Sequence, residues 1–382
     1  MKPFESHLAA ALDRIDQRDE RRSLRAATPQ DGGRLLRDGA VLVDFSSNDY
    51  LGLSRHPLLA QRSAEWALAH GAGSAASRLV TGTQPLHLAV EEKIARFKGK
   101  EAALLFPSGW HCNAAVLAAL LRAAPGAALF TDRLIHGSLH AGAAAHRQIR
   151  FRHNDLGHLA ELLARAEGPK IIVTESVFSM DGDRADVAAL ADVARAHDAF
   201  LYVDEAHATG VLGPQGRGLT HGLDVDLVMG TFSKALGCMG AYVAGSRLLI
   251  DYLVNACGGF IFSTAPSPAM LGAIDAALDL VPDMEAERAV LADHGAFFRE
   301  SLKGAGIATA DSSTQIVPVI VGDAGAALAL AQDLGAQGML AVAIRPPTVP
   351  PGTSRLRVAL HANHARADVA ALAQAIAARI GR

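Results

Sequence analysis

Lys234 stands in the stretch Asp226-Leu-Val-Met-Gly-Thr-Phe-Ser-Lys-Ala-Leu-Gly-Cys-Met-Gly240, just beyond an apolar run. The run Leu227-Val228-Met229 has the pattern of a strand buried on both faces of a parallel sheet. Thr231 and Ser233 lead from it to the lysine, and Gly237 and Gly240 follow. Open α/β sheets place their ligands at such strand ends. A buried amine there has a lowered pKa and a free lone pair, so it can form a Schiff base with a carbonyl. An isolated loop lysine would simply reach solvent. The other strand ends argue for chemistry.

The stretch Val203-Asp204-Glu205-Ala206-His207 ends a second apolar run. It resembles hydrolase machinery, but the G-x-S-x-G nucleophile elbow is absent. An aspartate there also suits a pyridinium nitrogen, whose proton a carboxylate retains. Pro107-Ser108-Gly109-Trp110 lies between a predicted strand and helix, where small residues offer backbone N–H groups to an anion such as phosphate; an ordinary helix cap by Ser108 is the alternative. His136 and His140 have i, i+4 spacing, yet no glutamate lies between them and no third ligand is evident. Zinc is therefore not expected, and no metal site is predicted. An imidazole packed flat against an aromatic ligand suits His136 better. In Thr174-Glu175-Ser-Val-Phe-Ser179-Met-Asp181-Gly-Asp183 the acids Asp181 and Asp183 flank a turn glycine, which favours structural roles for them.

The elements that position these residues follow from periodicity. Apolar strands are predicted at 101–106, 127–131, 170–174, 199–203, 225–229 and 241–244, with helices at 110–122, 137–146, 156–166 and 186–197. This alternation predicts an α/β fold, a mostly parallel sheet with helices on both faces. A helix over 3–27 is expected from Phe4, Leu8, Leu12 and Ile15, with Arg18, Arg21, Arg22 and Arg25 towards its end. A short strand at 41–45 and helices at 57–70 and 85–98 precede the alternation. A long helical stretch over 267–304 leads to a smaller α+β lobe with strands near 315–321, 339–344 and 355–360 and a helix at 366–380. The expected division is an N-terminal helix and strand over 1–45, a large α/β domain over 46–280 and a small C-terminal domain over 281–382. Gly71-Ala-Gly-Ser-Ala-Ala matches G-x-G-x-x-A, but it follows a helix instead of a strand and carries no dinucleotide reading.

With 36 basic and 39 acidic residues the net charge is −3, which excludes a strong electrostatic pull on nucleic acid or anionic membrane. Cys112, Cys238 and Cys257 are odd in number and never spaced C-x-x-C, against a disulfide framework. The N-terminus lacks the apolar core of a signal peptide and no run approaches a membrane span, so a cytoplasmic enzyme is expected.

The order of Ser108-Gly109-Trp110, His136, Val203-Asp-Glu-Ala-His207 and Thr231-Phe-Ser-Lys-Ala-Leu-Gly237 resembles the α-oxoamine synthase family of fold-type-I pyridoxal 5′-phosphate (PLP) enzymes. The likeness runs from Ser46-Ser-Asn-Asp-Tyr-Leu-Gly-Leu53 to Arg355-Leu-Arg-Val358. It implies a condensation of an amino acid with an acyl thioester and loss of CO₂. By that resemblance Lys234 carries the cofactor, Asp204 pairs with its ring nitrogen, His207 bonds its phenolic oxygen and His136 stacks on its ring. Ser108, Gly109, Trp110, Ser179 and Thr231 join the cofactor site, with Ser263 and Thr264 supplied by the partner subunit of a homodimer. The segment Ala343-Ile-Arg345-Pro-Pro-Thr348-Val-Pro350 is similar to the branch that uses L-alanine and a pimeloyl thioester. Arg345 is then expected on a substrate carboxylate and Arg22 on the acyl substrate, with Asn48, Ser77 and Thr348 as further substrate contacts. A glycine-using acetyltransferase of the same family and an inactive PLP-binding regulatory protein are the alternatives. One departure stands out: Ala75 and Ala76 occupy family glycine positions, where backbone needs positive φ or close approach.

Overall fold

A computed structural model describes residues 2–17 and 20–381. Its centre is a seven-stranded sheet built from Ala102–Phe106, Ala241–Gly245, Leu227–Thr231, Ala199–Asp204, Lys170–Glu175, Ala128–Asp132 and Gln148–Phe151, in that spatial order. All neighbours run parallel except Ala241–Gly245, which is antiparallel to both strands beside it. Alternate residues of each central strand enter separate cores. Leu104, Leu227, Met229 and Val243 pack under the helix Gly109–Ala123, while Ala103, Leu105 and Ala244 face the helices Pro85–Lys98 and Pro268–Leu280. Each fully buried large apolar side chain contributes about 1.5–3 kcal/mol. This packing is why the strand ends can carry polar groups that the core itself would reject.

Local sequence explains the element ends. Pro57 and Pro85 each occupy the first turn of a helix, where the missing N–H costs nothing. Gly99 ends the second of these with φ of 66°, a left-handed cap. The smaller lobe holds the antiparallel sheet of Ile316–Gly322, Ser354–Ala359 and Val342–Ile344, flanked by the helices Ala324–Ala336 and Arg366–Ile380. The strand Ala40–Asp44 pairs in parallel with Met339–Leu340, which ties the start of the chain to this lobe.

The structure corrects several expectations. The first helix spans Pro3–Asp16 and does not continue to 27. Its apolar spacing runs out at Ile15, and the next apolar residue, Leu24, is fully exposed with nothing to pack on. Arg22 consequently lies in exposed coil, and Arg18 falls outside the described residues. The helix predicted over 137–146 stops at Gly142, where its backbone abuts the carbonyls of Asn113 and Ala114. The edge strand Gln148–Phe151 follows where none was predicted. Pro282 divides the long stretch into helices Pro268–Leu280 and Glu285–Gly304. The run 339–344 is two strands belonging to two different sheets. Periodicity also missed the helices Arg247–Ala256 and Ala324–Ala336 and the hairpin strands Thr28–Gln30 and Arg34–Arg37.

Candidate active site

Three parallel strands end side by side at the predicted crevice. Glu175 and Asp204 are register partners at the ends of Lys170–Glu175 and Ala199–Asp204, and Asp204 in turn pairs with Met229. Both carboxyls are buried, at 3% and 4% exposure, so two charges side by side would be costly. Burial, reinforced by Asp204, pushes the Glu175 carboxyl well above the usual range. One buried oxygen of Glu175, Oε1, has no hydrogen-bond partner. Asp204 accepts from the Ala206 backbone N–H at 2.8 Å and from Asn113 Nδ2 at 2.7 Å.

Lys234 follows Thr231 by one tight turn, in which Gly237 adopts φ of 66° with its Cα against the backbone of Leu53 and Ser54. A side chain at Gly237 would collide with that backbone. Burial lowers the Lys234 amine to about 8, with Asp204 and Glu175 opposing the fall and Arg357 adding to it. Its Nζ lies 2.9 Å from His207 Nε2. The other ring nitrogen of His207 is 2.7 Å from the Tyr50 hydroxyl, itself fully buried. Burial and then the Lys234 charge hold His207 well below its ordinary pKa, so this imidazole is neutral. Arg357 extends the chain, donating to Asn48 Oδ1 at 3.0 Å and to the Ser179 carbonyl at 2.5 Å. Asn48 and Ser179 thus meet across 131 residues of sequence only through a guanidinium from the small lobe.

Opposite this wall, Ser108 caps the helix Gly109–Ala123 by accepting from the His111 N–H at 3.3 Å. A Cβ added at Gly109 would sit 3.1 Å from Met229 Cε and 3.8 Å from the Thr231 hydroxyl, so the helix start runs beside that hydroxyl and is crowded only by the flexible methionine end. Thr231 and Ser233 hydroxyls are 2.8 Å apart. Free N–H groups, a helix dipole and hydroxyls at one place make an anion site. His136 projects above it, its ring 5.8 Å from the Trp110 ring in an edge-on arrangement. Burial lowers the His136 pKa, with Asp204 opposing and Lys234 assisting.

The remaining predicted residues lie apart from this centre. Ser77 and Thr264 form an isolated antiparallel bridge, and Ser263 Oγ is 3.4 Å from His111 Nε2 of the same chain. Arg345 is half-buried just after the edge strand Val342–Ile344, and its carbonyl accepts from the N–H of exposed Thr348 at 3.0 Å. Arg22 is exposed. Asp181 pairs with Arg355 and Asp183 with His153, in line with the structural roles expected from the turn. Sequence reasoning missed Tyr50, Asn113, Ser138 and Arg357 as site residues. A polar Asn113 one turn before Val116 and Leu117 on an apolar helix was a usable signal.

Residues 40–376 match the family model described as aminotransferase class I and II. The chain belongs to that family. Among its relatives, an 8-amino-7-oxononanoate synthase from Gluconacetobacter diazotrophicus is 59% identical over 95% of this chain and 94% of its own. A Bordetella bronchiseptica protein given the same name provisionally is 63% identical over 99% of this chain and 97% of its own. Of solved structures, serine palmitoyltransferase from S. paucimobilis, with PLP and myriocin bound, superposes with TM-score 0.91 at 27% identity, covering 99% of this chain and 98% of that one. The 8-amino-7-oxononanoate synthase of Francisella tularensis superposes with TM-score 0.77 at 26% identity, covering 88% of this chain and 97% of that one. The architecture is therefore that of fold-type-I PLP transferases, and the cofactor of this family member is PLP. The donor set fits it: a buried acid for a ring nitrogen, a lysine of lowered pKa, and an N-terminal helix turn with hydroxyls for a phosphate.

Proposed function

We propose that the protein condenses L-alanine with a pimeloyl thioester, releasing CO₂ and the thiol, to give 8-amino-7-oxononanoate for biotin synthesis. The observation that carries this reading is near-full-length identity of 46–63% to relatives of that name, joined to an intact set of site residues. PLP supplies an aldehyde that takes the amino group and a protonated ring that withdraws electron density from the α-carbon. The protein does the rest.

Ser108, Gly109 and Thr231 would hold the phosphate, and Asp204 would keep the proton on the ring nitrogen. His207 steers Lys234 through the 2.9 Å contact and would bond the cofactor's phenolic oxygen. With a pKa of about 8, Lys234 is close enough to neutrality to take the alanine Cα proton and later return it. His136 and Trp110 cover the opposite side. Arg357, fixed by Asn48 and Ser179, and Arg345 at the lobe edge offer guanidinium forks for carboxylates of the amino acid and the acyl chain. Arg22 and Thr348 serve the acyl substrate from exposed segments.

A homodimer completes the reading. Exposed Leu79, Val80 and Phe262 flank the Ser77–Thr264 bridge, an apolar surface suited to a second copy. In that dimer Ser263 and Thr264 would join the partner's phosphate site. We place the enzyme in the cytoplasm; no helix among the described residues is long and apolar enough to cross a membrane.

The test is a steady-state matrix of alanine, glycine and serine against pimeloyl-, acetyl-, succinyl- and palmitoyl-CoA, with a pimeloyl carrier protein as a fifth donor. The expected optimum is alanine with a pimeloyl donor. Preference for glycine with acetyl-CoA would replace this reading by a C-acetyltransferase.

A further inference from the structure

Asn113 is 1% exposed and both ends of its amide are hydrogen-bonded. Nδ2 donates to Asp204 Oδ2 at 2.7 Å and to Ser138 Oγ at 2.9 Å, while the Tyr202 hydroxyl donates to Oδ1 at 2.6 Å. The orientation of the amide is dictated by its partners. An ionised carboxylate only accepts, so the NH₂ end must face Asp204, and its second hydrogen is then spent on Ser138. Ser138 Oγ, having accepted from Asn113, sends its own hydrogen to the remaining neighbour, His136 Nδ1, 2.7 Å away. The Ser138 backbone N–H points at the same nitrogen from 3.3 Å. Two donors converging on one ring nitrogen require its lone pair.

We propose that Asn113 is a positioning residue that sets the tautomer of His136 and the plane of the Asp204 carboxylate together. Through Ser138 it holds His136 with a bare Nδ1 and its hydrogen on Nε2, the nitrogen on the open side of the ring. His136 therefore offers a hydrogen bond, and accepts none, towards whatever lies above the cofactor. A substrate carboxylate or thioester oxygen fits that N–H; an amine or ammonium does not. The same amide fixes Asp204 Oδ2 while Ala206 fixes Oδ1, so the acid cannot rotate away from the ring nitrogen. One side chain thereby couples the acid that would meet the ring nitrogen to the imidazole that would cover the ring face. Nothing in this wiring depends on which amino acid or thioester is the substrate.

The experiment is long-range ¹H–¹⁵N correlation on protein labelled with ¹⁵N-histidine, with His136 assigned by its loss in His136→Gln. Wild type, with and without PLP, should show a pyrrole-type Nε2 and an acceptor-type Nδ1 for His136. Ser138→Ala removes one hydroxyl and should give averaged tautomers, with kcat lowered at least about tenfold and PLP affinity unchanged. Asn113→Ala should produce the same averaging and also weaken PLP retention, because Asp204 loses its anchor. If Asn113→Ala fails to fold, Asn113→Ser takes its place, and His136 signals unmoved in a folded Asn113 variant would also overturn the proposal. A wild-type His136 carrying its proton on Nδ1, or His136 signals unmoved in Ser138→Ala, would overturn the proposal. A substrate matrix that fails while these signals behave as expected would defeat the pimeloyl reading and leave this one standing.

Discussion

The two halves of the site are built differently. The cofactor half is made of strand ends and helix starts around the seven-stranded sheet, with Asp204, Asn113 and Ser138 buried in one hydrogen-bonded group and His207 and Tyr50 in another. The proposed substrate half is spread over exposed coil at Arg22 and the edge of a three-stranded sheet at Arg345 and Thr348. A rigid sheet fixes proton positions without reorganisation, which is what electron withdrawal through a ring demands. Specificity for an acyl chain needs reach more than rigidity, and loops supply it.

The sharpest way to break the contrast is at Lys234. Lys234→Ala should cut kcat at least about a thousandfold, since it removes both the covalent anchor and the proton carrier. Borohydride treatment should fix cofactor to wild type and not to the variant. Peptide mapping of the reduced adduct to another lysine would dismantle the whole cofactor half. Asp204→Asn comes next, with a loss of roughly a hundredfold or more and the fold retained, because an amide cannot keep the ring nitrogen protonated. Full activity in Asp204→Asn would move the electron-withdrawing role elsewhere.

What could be read from the sequence follows the same division. Asp204, His207 and Lys234 lie within one turn of apolar strands, so period and punctuation alone located them at a crevice. Tyr50, Asn113, Ser138 and Arg357 come from four distant segments, and their polar atoms meet only once the sheet and the small lobe have packed. The fold of the central sheet was legible because its strands are apolar throughout. The first helix was overextended because arginine-rich coil and the polar face of a helix look alike until the packing partner is known.

A pH measurement probes how firmly the cofactor half is tied. His153 lies between Asp132 at 2.9 Å and Asp183 at 2.8 Å, joining the end of one sheet strand to the turn that carries Ser179. Burial alone would pull the imidazole down, but the hydrogen bonds and charges of Asp132 and Asp183 push it up to about 9. The unfolded value is 6.5, so the folded state binds this proton more tightly. The resulting stability is fully present below about pH 6.5 and is lost as pH rises through about 9, for a total on the order of 3 kcal/mol. Denaturant unfolding of the cofactor-free protein between those pH values should show that decline in wild type and a flatter profile in His153→Gln. An equal slope in both would mean that the turn is held by other contacts.

In the substrate half the effects should be smaller and should leave the cofactor untouched. Arg345→Lys keeps the charge and loses the guanidinium fork, so KM for one substrate should rise about tenfold while cofactor absorbance is unchanged. Arg345→Ala should be worse, and acetyl-CoA, which lacks a distal carboxylate, should be indifferent to either if Arg345 binds the acyl chain. A change in cofactor absorbance in Arg345→Lys would blur the boundary between the halves.

The smallest effect is expected at Ala75. It adopts φ of 56° in the exposed segment leading to Ser77, a left-handed conformation that an L-residue with a Cβ reaches at a cost of about 1–2 kcal/mol. Glycine enters that region freely but loses more entropy on folding, which offsets roughly half of the gain. Ala75→Gly should therefore stabilise the protein by no more than about 1 kcal/mol, read as a small rise in denaturation midpoint at constant slope. Ala76 shows no positive φ, but its carbonyl accepts from the Ala265 N–H at 2.9 Å, so the segment is pinned to the Ser263–Thr264 turn from its second alanine onward. Ala76→Gly relieves no strain and should only add unfolded-state entropy, giving a loss of a few tenths to about 1 kcal/mol. Opposite signs at adjacent alanines would locate the strain at residue 75. Equal signs would mean that the left-handed conformation is not the one the chain adopts in solution.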